Sequence, residues 1–554
     1  MNKIPNNNNL TSKTLHFFIA LTVATLTTGF LRLQLFTGLP ETDGGFYTFI
    51  NQYIYHTLSN GQDIKGIPIH LYQLMTYWVH GLDVHQLIVL RLIDVLVAII
   101  ASIIFFKVIL KESGSLLFTV ILMIPLLILM NDIEVIGFGF RNSYWVAYIP
   151  LFTALLVWQK SSKEDAFSFY LIGALVSLGI LFREQCLPFF LFAGITIWIG
   201  YGWRVLLKYL IGSAILGFSV LAVVLSLRGW DLLDLINSYL FHGNSQTYQV
   251  GGLSDYSNIT SKMFINSGLK SLKANWFICI TALASIIYLI KPYATGLLAP
   301  VYALNNVDIE YSDYKKRIRM SRVYFWLLMA LMGLTQQLFT PTMFENHFAQ
   351  CLPGLVGLSA MGWRYINSNE SKRVNTSSLL ILGLMSLIVI MPTVNRTVIK
   401  SNFIYTPSVA IERITMLDSF RGKQTIERSQ YLTIAAKIYE LSREDSTLVV
   451  SGWMQALYPL TGLLPPKIEI NSLSGLYSNL DLDEARLINA IKKERPTIIV
   501  TLNLPPMSTP RNESDLPAII EKTNLYNKVV VVPTNLAINY GWKSAIIYRL
   551  KDFK

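Results

Sequence analysis

The sequence predicts an α-helical polytopic membrane protein with about eleven transmembrane helices and a C-terminal extracytoplasmic α/β domain. Three observations carry that prediction. Long apolar runs recur through the first 394 residues, basic residues fall in short groups between them, and the character of the chain changes after Thr393. Of 554 residues, 52% are hydrophobic and 14% charged, and the mean hydropathy is +0.44. Soluble domains typically carry about 25% charged residues, so the deficit points to segments that face lipid.

A bilayer core takes about 20 mostly apolar residues per helix, because each backbone polar group must be satisfied within the segment. Eleven runs meet the pattern: Leu15–Phe36, Leu87–Phe106, Leu116–Met130, Tyr144–Trp158, Phe167–Phe182, Leu187–Gly202, Tyr209–Leu227, Trp276–Ile290, Val323–Phe339, Leu352–Trp363 and Leu379–Thr393. The first is too long for a signal-peptide core and lacks a small-residue cleavage site, so it reads as a retained span. Ile67–Leu82 is short and aromatic, with Tyr72, Tyr77 and Trp78, and reads as a helix lying in the interface. Tyr293–Leu304 reads as a loop or partial insertion.

The net charge of +12 is spread over groups such as Lys107/Lys111, Lys160/Lys163, Arg204/Lys208, Lys315 to Arg322 and Arg364 to Arg373. With eleven spans and a cytoplasmic N-terminus, all of them fall on the cytoplasmic side. This spacing argues against nucleic-acid binding, which concentrates basic residues in one patch. The resulting map has a cytoplasmic tail over 1–14, a membrane domain over 15–394 with a periplasmic first loop at 37–85, and a periplasmic domain over 395–554. The location implied is the inner (plasma) membrane. Cys186, Cys279 and Cys351 lie in or beside apolar runs and read as small buried hydrophobes.

Within 395–554, Thr447–Val450, Thr497–Thr501 and Val529–Val532 read as buried strands, and Leu482–Glu494 as an amphipathic helix ahead of the second. Strand, helix, strand implies parallel pairing.

The first loop begins Leu39-Pro40-Glu41-Thr42-Asp43-Gly44-Gly45. Phe46, Ile50, Tyr53, Ile54, Thr57 and Leu58 follow at helical spacing, which predicts an interfacial amphipathic helix with Asp43 at its start. Asp43 then either caps that helix, with Glu41 solvated, or serves as a general base at the lipid–water boundary. A leaving phosphate needs cations or donors nearby, and Arg141, Arg183, Gln185, His70 and His347 lie on the same side. Ordinary loop charge, snorkelling or local pairing accounts for these residues equally well. Arg91 and Asp94, three apart within one span, are placed to pair on one helix face. No spacing of His, Cys, Asp or Glu suits a metal.

The stretch from Glu41 to Leu96, with Asp43, the aromatic helix Phe46–Leu58, the Pro-containing Ile67–Tyr72 and Gly81-Leu82-Asp83 through Arg91-Leu92, resembles the first-loop region of the GT-C fold lipid-phosphate-sugar glycosyltransferases. That group includes protein mannosyltransferases and aminoarabinose transferase. Val450-Ser451-Gly452-Trp453 and Leu457-Tyr458-Pro459-Leu460-Thr461-Gly462 fit its exposed C-terminal domain. Two departures stand out: Gly44 follows Asp43 where the group often has Glu, and His-Pro-Pro is reduced to Ile67-Pro68-Ile69-His70. The resemblance implies transfer of a sugar from a polyprenyl-phosphate donor to a periplasmic glycan, lipid or protein acceptor, with Asp43 as base and Glu41 as its rival. It implies help from Asp132 or Glu134 in the second outside loop, and Arg141 and Arg183 on the donor phosphate. No cofactor is firmly implied, and a divalent cation is left open. The competing expectations are a polymerase or ligase using a lipid-diphosphate oligosaccharide, and a transporter without chemistry.

Overall fold

The computed structural model describes residues 8–33, 42–62, 71–82, 86–131, 143–161, 165–183, 186–228, 276–287, 318, 321–331, 349–368, 381–384, 386–388, 391, 433–450, 454–467, 484–503, 516–533 and 544–552. It is mostly helical with one small sheet.

The first apolar run forms α1 (Asn8–Ala24), a π-helical turn (Thr25–Gly29) and α2 (Phe30–Leu33). The first loop contributes α3 (Thr42–Ser59), α4 (Leu71–Thr76) and a 3-10 turn (Tyr77–Gly81). Then come α5 (Gln86–Ser113), α6 (Leu116–Met130), α7 (Ser143–Trp158), α8 (Ala166–Phe182), α9 (Leu187–Tyr201) and α10 (Trp203–Arg228). The bundle continues with α11 (Trp276–Ile287), α12 (Ser321–Leu331) and α13 (Leu352–Ser368). The last predicted span, Leu379–Thr393, is described only in helical fragments, and Tyr293–Leu304 lies outside the described residues. Among the described residues, Leu92–Ser113 and Trp203–Ser226, 22 and 24 residues, are long and apolar enough to cross a membrane, while Thr14–Gly29, Leu116–Met130, Trp145–Trp158, Phe167–Phe182, Leu187–Tyr201, Trp276–Ile287 and Ser321–Leu331 are apolar but shorter.

Aromatic stacking fills the bundle interior. Phe105 meets Phe152 with ring centroids 4.3 Å apart, and Phe118 stacks on Trp363 at 4.4 Å. Between α8 and α10 the packing depends on glycine. A Cβ at Gly173 would lie 2.0 Å from the Tyr209 carbonyl oxygen, and one at Gly212 would lie 2.0 Å from that of Tyr170. Small residues let backbones approach where no hydrophobic force drives helices together, and Ser213 Oγ donates to the Gly173 carbonyl at 2.9 Å. The other face of α10, with Leu207, Ile215, Phe218 and Val223, is exposed.

The two ends of the bundle differ. At the end away from the first loop, Glu112 pairs with Arg322 and accepts from Gln159 Nε2 at 2.8 Å, while Arg364 donates to the Lys111 carbonyl at 2.9 Å. Lys160 stands near Lys111. Basic residues from four separate helix ends thus share one end of the bundle, as the charge pattern predicts. Cys186 and Cys351 are buried and Cys279 is half-buried, and none of the three is in a disulfide.

The C-terminal unit holds a helix over 433–441 (α14), β1 (Leu448–Val450), α15 (Leu457–Thr461), α16 (Glu484–Glu494), β2 (Ile498–Asn503), α17 (Leu516–Lys522), β3 (Tyr526–Pro533) and β4 (Ser544–Leu550). The four strands run in the order β1-β2-β4-β3. The three predicted strands are present, and β1 pairs with β2 in parallel, Leu448 opposite Ile498. The sheet is nonetheless mixed, because β4, absent from the sequence prediction, lies antiparallel between β2 and β3.

Alternation along the strands gives the sheet two apolar faces. Val449, Ile499, Ile546 and Tyr548 face Leu487 and Ile491 of α16 and Ile519 and Ile520 of α17. Leu448, Val450, Ile498, Val500, Ala545 and Ile547 face α14 and, from the first loop, Phe49, Ile50 and Ile54 of α3. A helix made near the N-terminus therefore supplies part of one layer of the C-terminal sheet's core.

Candidate functional site

The first predicted site residue, Asp43, lies in the first turn of α3. Amide N–H groups there lack intrahelical partners, and the helix dipole favours a carboxylate. The side chains of 42–47 lie outside the described residues; the backbone there is helical and continues into the packed part of α3.

Three groups of contacts hold α3. On the sheet side, Phe49, Ile50 and Ile54 are fully buried, and the Phe49 ring centroid lies 4.4 Å from that of Tyr458 in α15. Burying each such side chain stabilises by about 1.5–3 kcal/mol, and an aromatic pair adds roughly 0.5–1.5 kcal/mol. Burial also pushes the Tyr458 phenol well above its ordinary pKa, so it stays neutral. One turn further along, Gln52 Nε2 donates to the Leu463 carbonyl at 3.3 Å. On the side of the second loop helix, Asn51 Nδ2 donates to Thr76 Oγ1 at 3.1 Å, which donates to the Tyr72 carbonyl at 2.8 Å. Tyr55 stacks on His80 with centroids 6.2 Å apart. Leu460 of α15 packs on Val79 and Leu90, where the chain enters α5.

These contacts correct the expectation of a helix lying in the lipid interface. The apolar stripe of α3 is covered by protein, with the C-terminal sheet, α14 and α15 supplying its apolar partners. The second loop helix keeps an outward apolar edge: Met75, Trp78 and Leu82 are 56%, 49% and 43% exposed, while Tyr72, Gln73, Thr76 and Val79 are buried. Its described part, Leu71 to Gly81, is shorter than a bilayer-crossing helix.

Near the end of the first span lies a buried polar cluster. Arg32 and Asp94, each 1% exposed, form an ion pair. Arg32 Nε donates to Asn131 Oδ1 at 2.6 Å, and its guanidinium lies 5.1 Å from the centre of the Trp145 ring. Asn131 Nδ2 reaches the Leu127 carbonyl at 2.6 Å and Thr28 Oγ1 at 3.3 Å, and Thr28 and Ser102 hydroxyls lie 3.1 Å apart. Asp94 meets Arg32 of α2 inside the bundle; the side chain of Arg91, its expected partner, lies outside the described residues. A buried carboxylate without a counter-charge is strongly disfavoured, and Arg32 supplies that charge from the neighbouring helix. Sequence reasoning missed both Arg32 and Asn131. The available signal was an Arg at the loop end of the first span and an Asp at the loop end of the second.

Of the proposed phosphate ligands, Arg183 is described. It is 9% exposed and follows α8 in extended conformation, its N–H donating to the Gly179 carbonyl at 3.0 Å. Because α8 packs against α4, Arg183 shares the loop end with α3. Glu41, His70, Asp132, Glu134, Arg141, Gln185 and His347 lie outside the described residues, although Asp132 follows directly on Asn131. Among the described residues, no three His, Cys, Asp or Glu side chains gather at metal-binding range.

No protein-family model and no curated protein sequence matches the chain. Solved structures similar to it include the following two. An oligosaccharyltransferase from Archaeoglobus fulgidus, tethered to an acceptor peptide containing the NVT sequon, matches at 12% identity and a TM-score of 0.45, over 95% of this chain and 74% of its own. ArnT from Cupriavidus metallidurans, bound to undecaprenyl phosphate, matches at 12% identity and a TM-score of 0.44, over 97% of this chain and 98% of its own. At TM-scores under 0.5, nothing further follows from either similarity.

Proposed function

We propose that this protein is a membrane glycosyltransferase that moves a sugar from a polyprenyl-phosphate donor to an extracytoplasmic acceptor, with Asp43 as general base. The observation that carries the reading is the position of Asp43. It opens a helix directly after the first apolar run, and that helix is fixed between the second loop helix and the C-terminal sheet. The order of first-loop motifs supports the same reaction class.

In the reaction, an acceptor hydroxyl attacks the anomeric carbon of the donor. Asp43 takes the hydroxyl proton as the new C–O bond forms. The bond to the phosphate oxygen breaks on the opposite face, its electron pair leaving with the polyprenyl phosphate, so configuration inverts. General-base assistance is typically worth about 10²–10⁴ in rate. Arg183 and Arg141 stand as partners for the phosphate charge, with Gln185, His70 and His347 as further donors, and Asp132 or Glu134 as the second acid. Eleven spans, a cytoplasmic N-terminus and an extracytoplasmic unit over 395–554 complete the proposal; the gathering of basic residues at the far end of the bundle supports that orientation.

The test is transfer from a panel of radiolabelled polyprenyl-phosphate sugars by purified wild type and Asp43→Asn. The variant should express and fold normally and lose transfer by about 10²-fold or more. Near-normal transfer by Asp43→Asn removes Asp43 from the mechanism.

A further inference from the structure

We propose that the C-terminal unit is a positioning element for the reaction: it sets where Asp43 stands, through the seam between Phe49 and Tyr458. The inference rests on the reading of Asp43 as the base. Its own grounds are geometric.

A single rigid helix, α3, carries Asp43 in its first turn and Phe49 less than two turns later. Phe49, Ile50 and Ile54 belong to the same buried core as Val450, Met454, Leu457 and Tyr458. The closest packing partners of α3 are α15 of the C-terminal unit, α4 and the 3-10 turn that follows α4. The bundle helices reach α3 chiefly through that turn, which packs on α5. The segment 457–464 is therefore a wedge with two working sides. Tyr458 bears on Phe49, Leu460 bears on Val79 and Leu90 at the mouth of α5, and the Leu463 carbonyl accepts from Gln52. If the wedge withdraws, α3 loses the Phe49–Tyr458 and Gln52–Leu463 contacts and leans on its ties to the second loop helix, through Asn51 with Thr76 and Tyr55 with His80, and on the bare face of the sheet.

A carboxylate acting as general base must hold its place to within a fraction of an ångström, and a displacement of about 1 Å can cost about 10²-fold in rate. Loosening the seam should thus lower kcat and spare donor KM, because the phosphate partners lie on other elements.

The experiment uses the full-length protein in nanodiscs with the radiolabelled polyprenyl-phosphate sugar that supports transfer. Phe49→Ala, Ile54→Ala and Phe49→Leu are compared with wild type and Asp43→Asn. Amide hydrogen exchange is read over 42–59 and, as a folding control, over 86–113 and 498–550. The expected result for both alanine variants is faster exchange confined to 42–59, kcat reduced tenfold or more and donor KM within twofold of wild type; Phe49→Leu recovers most of the rate. Faster exchange with unchanged kcat would overturn the proposal, as would unchanged exchange over 42–59. If Phe49→Ala disturbs the sheet at 498–550 as well, Ile54→Ala, a smaller deletion, decides by the same criteria. If Asp43→Asn transfers normally, the reading of the base has failed, and the exchange data still report on the docking by themselves.

Discussion

Arg32 and Asp94 pose an energetic question that the reaction alone does not answer. Two charges 1% exposed must balance a desolvation cost against their attraction and their hydrogen bonds. Removing one partner leaves the other buried and uncompensated. Asp94→Asn is expected to destabilise by about 3–5 kcal/mol, whereas Arg32→Met combined with Asp94→Leu should recover most of that loss. Thermal unfolding of the four members of this double-mutant cycle in detergent checks it, and additive losses would mean that the pair is not coupled. Asp94 was legible in the sequence as a charge within a span, but its pairing with Arg32 was not. Helical spacing points to a residue on the same helix, whereas the pairing with Arg32 depends on which face of α5 turns toward α2. That rotation is set by the packing of the whole bundle.

At the scale of elements, the helices were the legible part. α6 coincides with its predicted run from Leu116 to Met130, because continuous apolar sequence between polar ends needs no tertiary context to be read. The unread parts were contacts. The stripe on α3 was visible as amphipathicity, yet amphipathicity does not say whether lipid or protein covers it. β4 was missed because Ser544–Leu550 has neither the long uniform run of β3 nor a helix ahead of it, although it is the strand that joins β2 to β3. Between α8 and α10 the glycines make a sharper prediction. Gly173→Ala places a Cβ 2.0 Å from the Tyr209 carbonyl oxygen and forces the helices apart, while Gly383→Ala meets nothing closer than Ile121 at 3.4 Å. The first should cost about 1–3 kcal/mol or more by overpacking. The second should leave the melting temperature nearly unchanged. Equal shifts for the two would mean that α8 and α10 are not in backbone contact.

For the whole molecule, the orientation proposed from loop charges has a direct test. With Cys186, Cys279 and Cys351 replaced by alanine, a Lys554→Cys variant in intact spheroplasts should react with a membrane-impermeant maleimide, and a Lys3→Cys variant should react only after lysis. Labelling of the second but not the first in intact cells would invert the map and put α3 and Asp43 on the cytoplasmic side. The composition and charge pattern made two parts of the chain visible from the outset. What they did not convey is that the two parts share a core, because Phe49 and Tyr458 are joined by no local pattern.

That shared core also dictates an order of assembly. The hydrogen bond from Gln52 to Leu463 closes a separation of 411 residues, and the strand between β2 and β3 is the last one made. At roughly 5–20 residues per second of synthesis, α3 waits on the order of 25–100 s after emerging before its sheet exists to receive it. During that interval Phe49, Ile50 and Ile54 form an uncovered apolar stripe at the membrane surface, a ready ligand for a chaperone or a headgroup layer. Nascent and truncated chains would then lack a docked α3 even with every span inserted. Formation of β4 would then be the step that lets α3 dock.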